Sequence, residues 1–280
     1  MANIMSRQME ERIAKAIITL SVVIALGVLV AILVHILQKG LGVISMAFLF
    51  EYPEDMGRAG GIFPSIVGTF YLIVVALGVA TPLGVFSAIQ LTEYTRKGKL
   101  VKQIRFATET LAGIPSIVYG LFGFAFFVIF LKFSWSILSG GLTLAIMILP
   151  TIIRTSEEAI KSVPDSYREG SLAIGATKWQ TIYRIVLPAA LPGIVTGIIL
   201  GIGRAVGETA AVLLTAGSSG LHLPASVMDP ARSLAVHLYV LVSEGISFEM
   251  GYGTAAVLVI LIFIINSIAN LIMYKMTTRV

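Results

Sequence analysis

Apolar stretches long enough to cross a lipid bilayer recur along the whole chain, and they restrict its fold more than any other feature. A spanning α-helix needs roughly 20 consecutive apolar residues. Of the 280 residues, 57% are hydrophobic and 12% are charged, whereas soluble domains have about 25% charged residues. The sequence therefore predicts an all-α integral membrane protein whose solvent is lipid.

Six segments reach spanning length. We predict transmembrane helices over residues 16–37, 66–92, 111–132, 135–153, 188–217 and 252–274. The first apolar stretch, of about 22 residues, is longer than the roughly 7–15 apolar residues of a signal peptide, and no small-x-small cleavage site follows it. We therefore expect a retained anchor helix and a single six-helix membrane domain over residues 16–274.

Basic residues are distributed unevenly between the connecting segments. Lys and Arg number three in residues 1–15, five in 93–110, five in 154–187 and two after 274, but only four in the alternate segments. Loops rich in Lys and Arg stay in the cytoplasm. We predict a cytoplasmic N-terminus (residues 1–15), a cytoplasmic C-terminus and a cytoplasmic loop over 154–187. The net charge of +5 then reflects topology and predicts no nucleic-acid partner.

Several kinds of chemistry are excluded by what the sequence lacks. The chain has no cysteine, which rules out disulfides, thiol catalysis and Cys-based zinc sites. His35, His222 and His237 have no neighbours at metal-ligand spacing, so we expect solvated or interfacial histidines and no metal site. No Gly-rich phosphate loop, HExxH motif or aspartate within a span occurs. We predict no catalytic site and no cofactor, with any ATP bound by a partner.

Residues 229–245 connect two predicted spans with an apolar stretch that is too short to cross a bilayer. Asp229 and Pro230 are residue types suited to an N-cap and a first helical turn, and Gly245 follows the stretch. The pattern predicts an external or re-entrant helix in this outer loop.

The segment 154–187 contains polar and aromatic residues in an otherwise apolar chain. Asp165 follows Pro164 and can open a helix that relaxes at Gly175. Thr177 and Gln180 have the spacing of a capping box, which predicts a second helix. The segment is either a bent pair of helices projecting from the membrane or an amphipathic loop lying on lipid headgroups.

Arg204 and Glu208 lie inside the fifth predicted span, where ionisable groups are costly and are usually functional or paired. At i, i+4 spacing they share one helix face and can reach each other. The same stripe contains Gly193, Gly197 and Gly201, a ridge of small residues suited to close helix packing.

Two readings of Arg204 follow from the residues. Its guanidinium fork fits phosphate oxygens, so it can bind an anion in the outer half of the membrane. Alternatively, Arg204 and Glu208 form an internal pair that locks helices together. Thr209 can add a hydroxyl donor to the substrate pathway, although such hydroxyls commonly bond back to their own helix.

The polar segment resembles the EAA loop of permease subunits of binding-protein-dependent ABC importers. Glu169, Gly175 and the I-x-L-P sequence at 185–188 fit its spacing, with Gly170 and Ser171 in place of two alanines. The resemblance implies a coupling helix that docks into a cleft of an ATP-hydrolysing partner. The residues expected there are Glu169, Gly170, Ser171, Gly175, Ala176, Thr177 and Trp179.

Further stretches are similar to the PstA-type phosphate permease family, namely residues 57–70, 80–94, 112–123, 201–217 and 229–239. The resemblance implies a MetI-like type I importer fold with six transmembrane helices in the plasma membrane of a prokaryote. It implies a complex with a homologous PstC-type permease, two PstB-type ATPase subunits and an external PstS-type phosphate-binding protein. The sister PstC-type subunit, or another oxyanion or organic solute as cargo, remains an alternative.

Overall fold

The computed structural model describes residues 2–95, 98–220 and 222–277 and is built almost entirely of helices. Within these residues, five helices are long and apolar enough to cross a membrane, and a bent pair forms a sixth candidate. The predicted all-α fold with repeated spanning helices is thus confirmed.

The described residues up to Ser162 form six helices and a small hairpin. The helices are α1 (Ala2–Gly40), α2 (Met46–Phe50), α3 (Phe63–Ile89), α4 (Lys99–Ala112), α5 (Ser116–Gly123) and α6 (Ile137–Ser162). Strands β1 (Pro53–Glu54) and β2 (Ala59–Gly60) pair antiparallel around a 3₁₀ turn between α2 and α3. Helices α3 and α5 each continue into a π-helical stretch, at Gln90–Tyr94 and Phe124–Phe130.

The described residues from Asp165 onward form six more helices. They are α7 (Asp165–Ala173), α8 (Lys178–Thr181), α9 (Leu187–Val206), α10 (Ala210–Thr215), α11 (Leu234–Ser243) and α12 (Phe248–Thr277), with a π-helical stretch at Ile182–Val186. Because α6 extends to Ser162, the first part of the predicted 154–187 loop is helical and continuous with a span.

The third predicted span, 111–132, is not one straight helix. Residues Val101–Ala112 and Ser116–Phe130 meet at an angle of 100°. Gly113 ends α4, and Pro115, which has no N–H to donate, precedes α5. A proline also disfavours helical backbone in the residue before it, here Ile114. The apolar helix therefore begins at Ser116, after the bend.

The fifth predicted span, 188–217, is wrong at both ends. One helix runs from Lys178 to Val206, because the π-helical turn lets the Leu187 N–H bond to the Ile182 carbonyl just before Pro188. The helix stops at Gly207, and α10 is a separate short helix.

Helix α11, in the segment predicted to be an outer loop, begins later than predicted. Its N-cap is Ser233, whose hydroxyl accepts from the Val236 N–H at 3.2 Å. The Asp229 carboxylate instead accepts from the N–H groups of Ala225 and Ser226 at 2.8 and 2.9 Å, closing a turn before the helix. Asp229 is therefore not the N-cap of α11, because its carboxylate is engaged by the turn that precedes the helix.

His237 on α11 is buried rather than solvated, with 1% of its surface exposed. Its Nδ1 lies 3.2 Å from Nη1 of Arg232, and because arginine only donates, Nδ1 is the acceptor. Burial and the neighbouring Arg232 charge lower the pKa of His237 to about 4. The ring is therefore neutral at physiological pH.

Helix α6 lies at the centre of the bundle, between α3 and α9. Buried side chains on α3 and α6 form one core cluster, which includes Leu72, Ala76, Ala80, Leu144, Met147, Ile148 and Ile152. Small residues bring the helices close, since a methyl group added at Gly84 of α3 would collide with Ile152.

Three of the four glycines of α9 face α6. A methyl group added at Gly193 would meet Ala159, and one added at Gly197 would collide with Thr155. At Gly201 there is ordinary van der Waals contact distance to Ile148 and Ile152. Each step of one turn forward along α9 is matched by a step of about one turn backward along α6. This pattern is typical of antiparallel helices that pack through a ridge of small residues.

We expect Gly197→Val to lower the free energy of unfolding by about 1–3 kcal/mol, because extra volume must be forced into a close helix contact. Gly203→Val is the matched control on the same helix, since open space surrounds Gly203. Thermal unfolding in detergent measures both. Equal destabilisation by the two variants would contradict the packing role of Gly197.

Candidate functional site

The first candidate site is a bent pair of helices at one end of the bundle, which we call the elbow: α7, the turn at Gly175 and α8. Gly175 has a φ of +88°, a left-handed conformation that favours glycine. Its N–H bonds to the Leu172 carbonyl at 3.0 Å, and the Ala176 N–H bonds to the Ser171 carbonyl at 3.2 Å. These bonds close α7 and turn the chain toward α8.

The capping box predicted for α8 is present. The Thr177 hydroxyl accepts from the Gln180 N–H at 3.3 Å, and the Thr177 N–H donates to Gln180 Oε1 at 2.8 Å. The hydroxyls of Ser171 and Thr181 lie 2.9 Å apart in the interior of the elbow. Ser171 therefore joins the two helices and is not on the exposed surface.

The outer surface of the elbow is rich in exposed apolar side chains. Ile174 at the bend is 85% exposed, and Leu172 and Trp179 are each about half exposed. Trp179 stacks on Tyr183 with ring centroids 6.3 Å apart. The other predicted coupling residues that are exposed are Glu169, Gly170, Gly175 and Thr177, while Ala176 is half-buried. A clustered apolar patch with a polar rim is typical of a contact surface.

Arg168 holds the elbow against α3, a contact that the sequence analysis missed. Its Nε and Nη2 donate to Glu93 Oε1 at 3.0 and 2.9 Å, although the two residues are 75 positions apart. Only 18% and 10% of the two side chains are exposed. In the sequence, Glu93 follows one predicted span and Arg168 lies in the middle of a separate loop, so nothing in their spacing indicated the pair.

A second polar region is a cavity of about 360 Å³ between α4 and α6. Glu157, which is buried, forms ion pairs with Arg105 of α4 and Lys161 of its own helix. Arg154 pairs with Glu158 at 3.3 Å on the same helix. These charges entered the sequence analysis only as markers of topology, because the contact between α4 and α6 depends on the bend after Ala112.

The third candidate region is the end of α9. Arg204 is half-buried in the last turn, where a cation is favoured by the helix dipole. Within the described residues it makes no hydrogen bond or ion pair, and its charge acts on the Tyr119 hydroxyl of α5. That hydroxyl donates to the Leu111 carbonyl at 2.7 Å, across the bend between α4 and α5.

Of the two readings of Arg204, the internal pair with Glu208 is not formed in the structure. Glu208 Oε1 accepts from the Ala211 N–H at 3.1 Å and so caps α10. The two residues do not share a helix face, because the helix ends between them at Gly207. Thr209, at the start of α10, is half-buried and close in sequence to this break. A free guanidinium at a helix break is suited to receive an anion.

These features define a class of protein: a multi-pass membrane protein with broken helices near its polar groups and a bent pair of short helices with exposed apolar side chains at one end. Residues 80–280 match the sequence model of the binding-protein-dependent transport system inner membrane component. This is more than half of the chain, and the protein belongs to that family of ABC importer permeases.

Several permease proteins are similar in sequence to this chain over nearly its full length. The phosphate transport system permease protein PstA 1 of Mycobacterium tuberculosis (strain CDC 1551 / Oshkosh) is 36% identical, covering 98% of this chain and 91% of the relative. PstA of Yersinia pestis is 34% identical over 96% and 92% of the two chains. The probable ABC transporter permease protein YqgI of Bacillus subtilis (strain 168) is 32% identical over 95% and 96%. The resemblance to PstA-type permeases is confirmed.

Solved structures share the fold. A bacterial alginate ABC transporter, solved with an alginate-bound periplasmic protein, matches with a TM-score of 0.69 at 16% identity, covering 95% of each chain. The inward-facing MetNI methionine ABC transporter matches with a TM-score of 0.60 at 21% identity, covering 77% of this chain and 94% of the other. At these identities the likeness concerns the fold, which is that of type I ABC importer permeases.

We expect Gly175→Ala to destabilise the elbow by about 1–2 kcal/mol, the usual cost of a left-handed conformation for a residue with a Cβ. Gly170→Ala is the matched control, because Gly170 lies in the helical part of α7 with open space around it. Hydrogen exchange over residues 165–181 should accelerate in the first variant only. Equal exchange in both variants would contradict a conformational role for Gly175.

Proposed function

We propose that this chain is the membrane-spanning permease subunit of an ATP-driven importer that carries inorganic phosphate into the cell. Near full-length similarity to phosphate permeases supports the cargo. The structural observation that supports an anionic cargo is the state of Arg204. This residue is a half-buried cation whose guanidinium has no partner in the described part of the chain.

We further propose that both termini and the elbow are cytoplasmic. The excess of Lys and Arg in residues 1–15, 93–110, 154–187 and after 274 supports this orientation. Arg204 lies about 24 Å along the helix from Pro188, at a rise of 1.5 Å per residue. With the elbow inside, Arg204 is in the outer half of the membrane, where it meets an anion delivered from outside.

The chain supplies a path and a docking surface, and the energy comes from elsewhere. Since the sequence has no phosphate-binding loop for ATP, ATP belongs to PstB-type subunits, and the chain itself has neither a catalytic site nor a cofactor. The exposed patch around Ile174 and Trp179, beside Glu169, is the surface offered to the ATPase. A homologous PstC-type permease and an external PstS-type binding protein complete the proposed complex.

Phosphate binding at Arg204 follows from ordinary charge chemistry. A guanidinium donates two parallel N–H bonds to an oxyanion, and these bonds strengthen where water is excluded. Glu208 does not compete for Arg204, because its carboxylate is engaged by the first turn of α10. We also propose Thr209 as a hydroxyl donor to phosphate in the substrate pathway. Sulfate offers similar oxygens, so another oxyanion is the second candidate cargo.

We expect Arg204→Ala to reduce phosphate uptake in proteoliposomes by roughly 10- to 100-fold, corresponding to the loss of a hydrogen bond to a charged group. Arg204→Lys should retain part of the uptake, because lysine keeps the positive charge but lacks the two parallel N–H donors of the guanidinium. Assembly with the ATPase should be unchanged. Normal uptake by Arg204→Ala would exclude its substrate role, and stronger competition by sulfate than by phosphate would favour the other cargo.

We expect Ile174→Asp to weaken binding of the ATPase subunit by at least about 2 kcal/mol, as for a residue at the centre of an interface. Co-purification and a titration of the purified subunits measure the loss. Met56→Asp, a substitution at a residue that is 71% exposed in the turn between β1 and β2, should leave binding intact. An unchanged affinity for Ile174→Asp would remove the elbow from the interface.

A further inference from the structure

Resting on the proposed function, we infer that the Arg168–Glu93 pair, the clamp, transmits movement of the elbow to α3. Arg168 and Glu93 are then positioning residues for transport, although neither touches the substrate. The elbow would drive two helices: α9, with which α8 is continuous, and α3, to which the clamp ties it.

Every N–H of the Arg168 guanidinium is used. Nε and Nη2 donate to Glu93 Oε1, Nη2 donates to the Ile160 carbonyl at 2.8 Å, and Nη1 donates to the Val163 carbonyl at 2.7 Å. Nη1 also donates to Asp165 Oδ1 at 3.2 Å. Arginine has five N–H donors in a rigid fork, and here they join the end of α3, the end of α6 and the start of α7.

The end of α3 receives the second helix of the elbow as well. Lys178, the first residue of α8, donates to the Glu93 carbonyl oxygen, and its ammonium lies 4.9 Å from the centroid of the Tyr94 ring. Both helices of the elbow therefore contact Glu93 of the π-helical stretch Gln90–Tyr94, and α8 also contacts Tyr94. The largely buried Arg168–Glu93 pair differs from exposed surface ion pairs, which contribute little.

Two neighbouring residues of α7 lie on different faces of the helix. Glu169 is exposed on the docking side of α7, while Arg168 faces α3. Glu169 and Arg168 are adjacent in α7. A displacement of the exposed surface of α7 therefore also displaces Arg168 and, through the ion pair, Glu93. From Glu93, the helix that contains α3 runs back through Gly84, which packs on Ile152 of the central helix.

A distance measurement tests the clamp directly, and the chain has no native cysteine to interfere. Ser166→Cys on α7 and Phe86→Cys on α3 are both exposed and accept spin labels. In the assembled complex, the distance between the labels should stay constant between the nucleotide-free and ATP-bound states. With Arg168→Met or Glu93→Gln added, we expect the distance to change with nucleotide, because the elbow then moves without α3.

Transport per ATP gives the functional readout. In complexes that assemble and hydrolyse ATP, phosphate uptake per ATP should fall at least about fivefold in Arg168→Met and Glu93→Gln, the lower end of typical coupling between sites. Arg168→Lys should fail similarly, since an ammonium cannot reproduce the five-donor fork. Arg184→Met is the matched control, because Arg184 is exposed and has no ion-pair partner among the described residues.

Three outcomes would overturn the inference. These are an unchanged ratio of uptake to ATP, label distances that stay constant without the clamp, and loss of ATPase binding in both Glu93→Gln and Arg168→Lys. The last result would make the pair part of the docking surface. The distance experiment needs no phosphate, so failure of the unmutated complex to import phosphate would contradict the proposed cargo while leaving the clamp to be judged separately.

Discussion

The close packing of α3 and α9 against the central helix α6 is the contact on which the rest of the structure depends. Lipid chains are as apolar as the helices, so association in a bilayer depends on van der Waals contact rather than on a hydrophobic driving force. Gly84, Gly193 and Gly197 provide that contact by letting backbones approach the side chains of Ile152, Ala159 and Thr155. This arrangement leaves the polar groups to the ends and breaks of the helices.

The groups proposed to act in transport lie where regular helix geometry is interrupted. The clamp residue Glu93 belongs to a π-helical stretch, a second π-helical stretch connects α8 to α9, and Arg204 precedes the break at Gly207. Backbone groups at such points can be satisfied by side chains, and the local geometry can adjust. A rigid centre with adjustable ends is consistent with a subunit that transmits movement from a docking surface to a path.

Local patterns predicted the elbow well. Thr177 and Gln180 indicated a capping box and Gly175 a bend, and these depend only on neighbours within a few residues. The glycine stripe likewise indicated which face of α9 would pack closely. The pairing of Arg204 with Glu208 could not be judged in this way, because it assumed an unbroken helix, and the end of α9 depends on how Glu208 and α10 pack.

The sequence by itself determined the membrane setting, the number of apolar segments and the bent form of the elbow, since these follow from composition and from short-range hydrogen bonding. Only the tertiary structure decided that Arg168 meets Glu93 and that Arg105 meets Glu157. It also decided that Arg204 has no ion-pair partner among the residues that the structure describes, since Glu208 caps α10. Contacts between residues far apart in the chain depend on how helices bend and cross, and no spacing within one segment encodes that geometry.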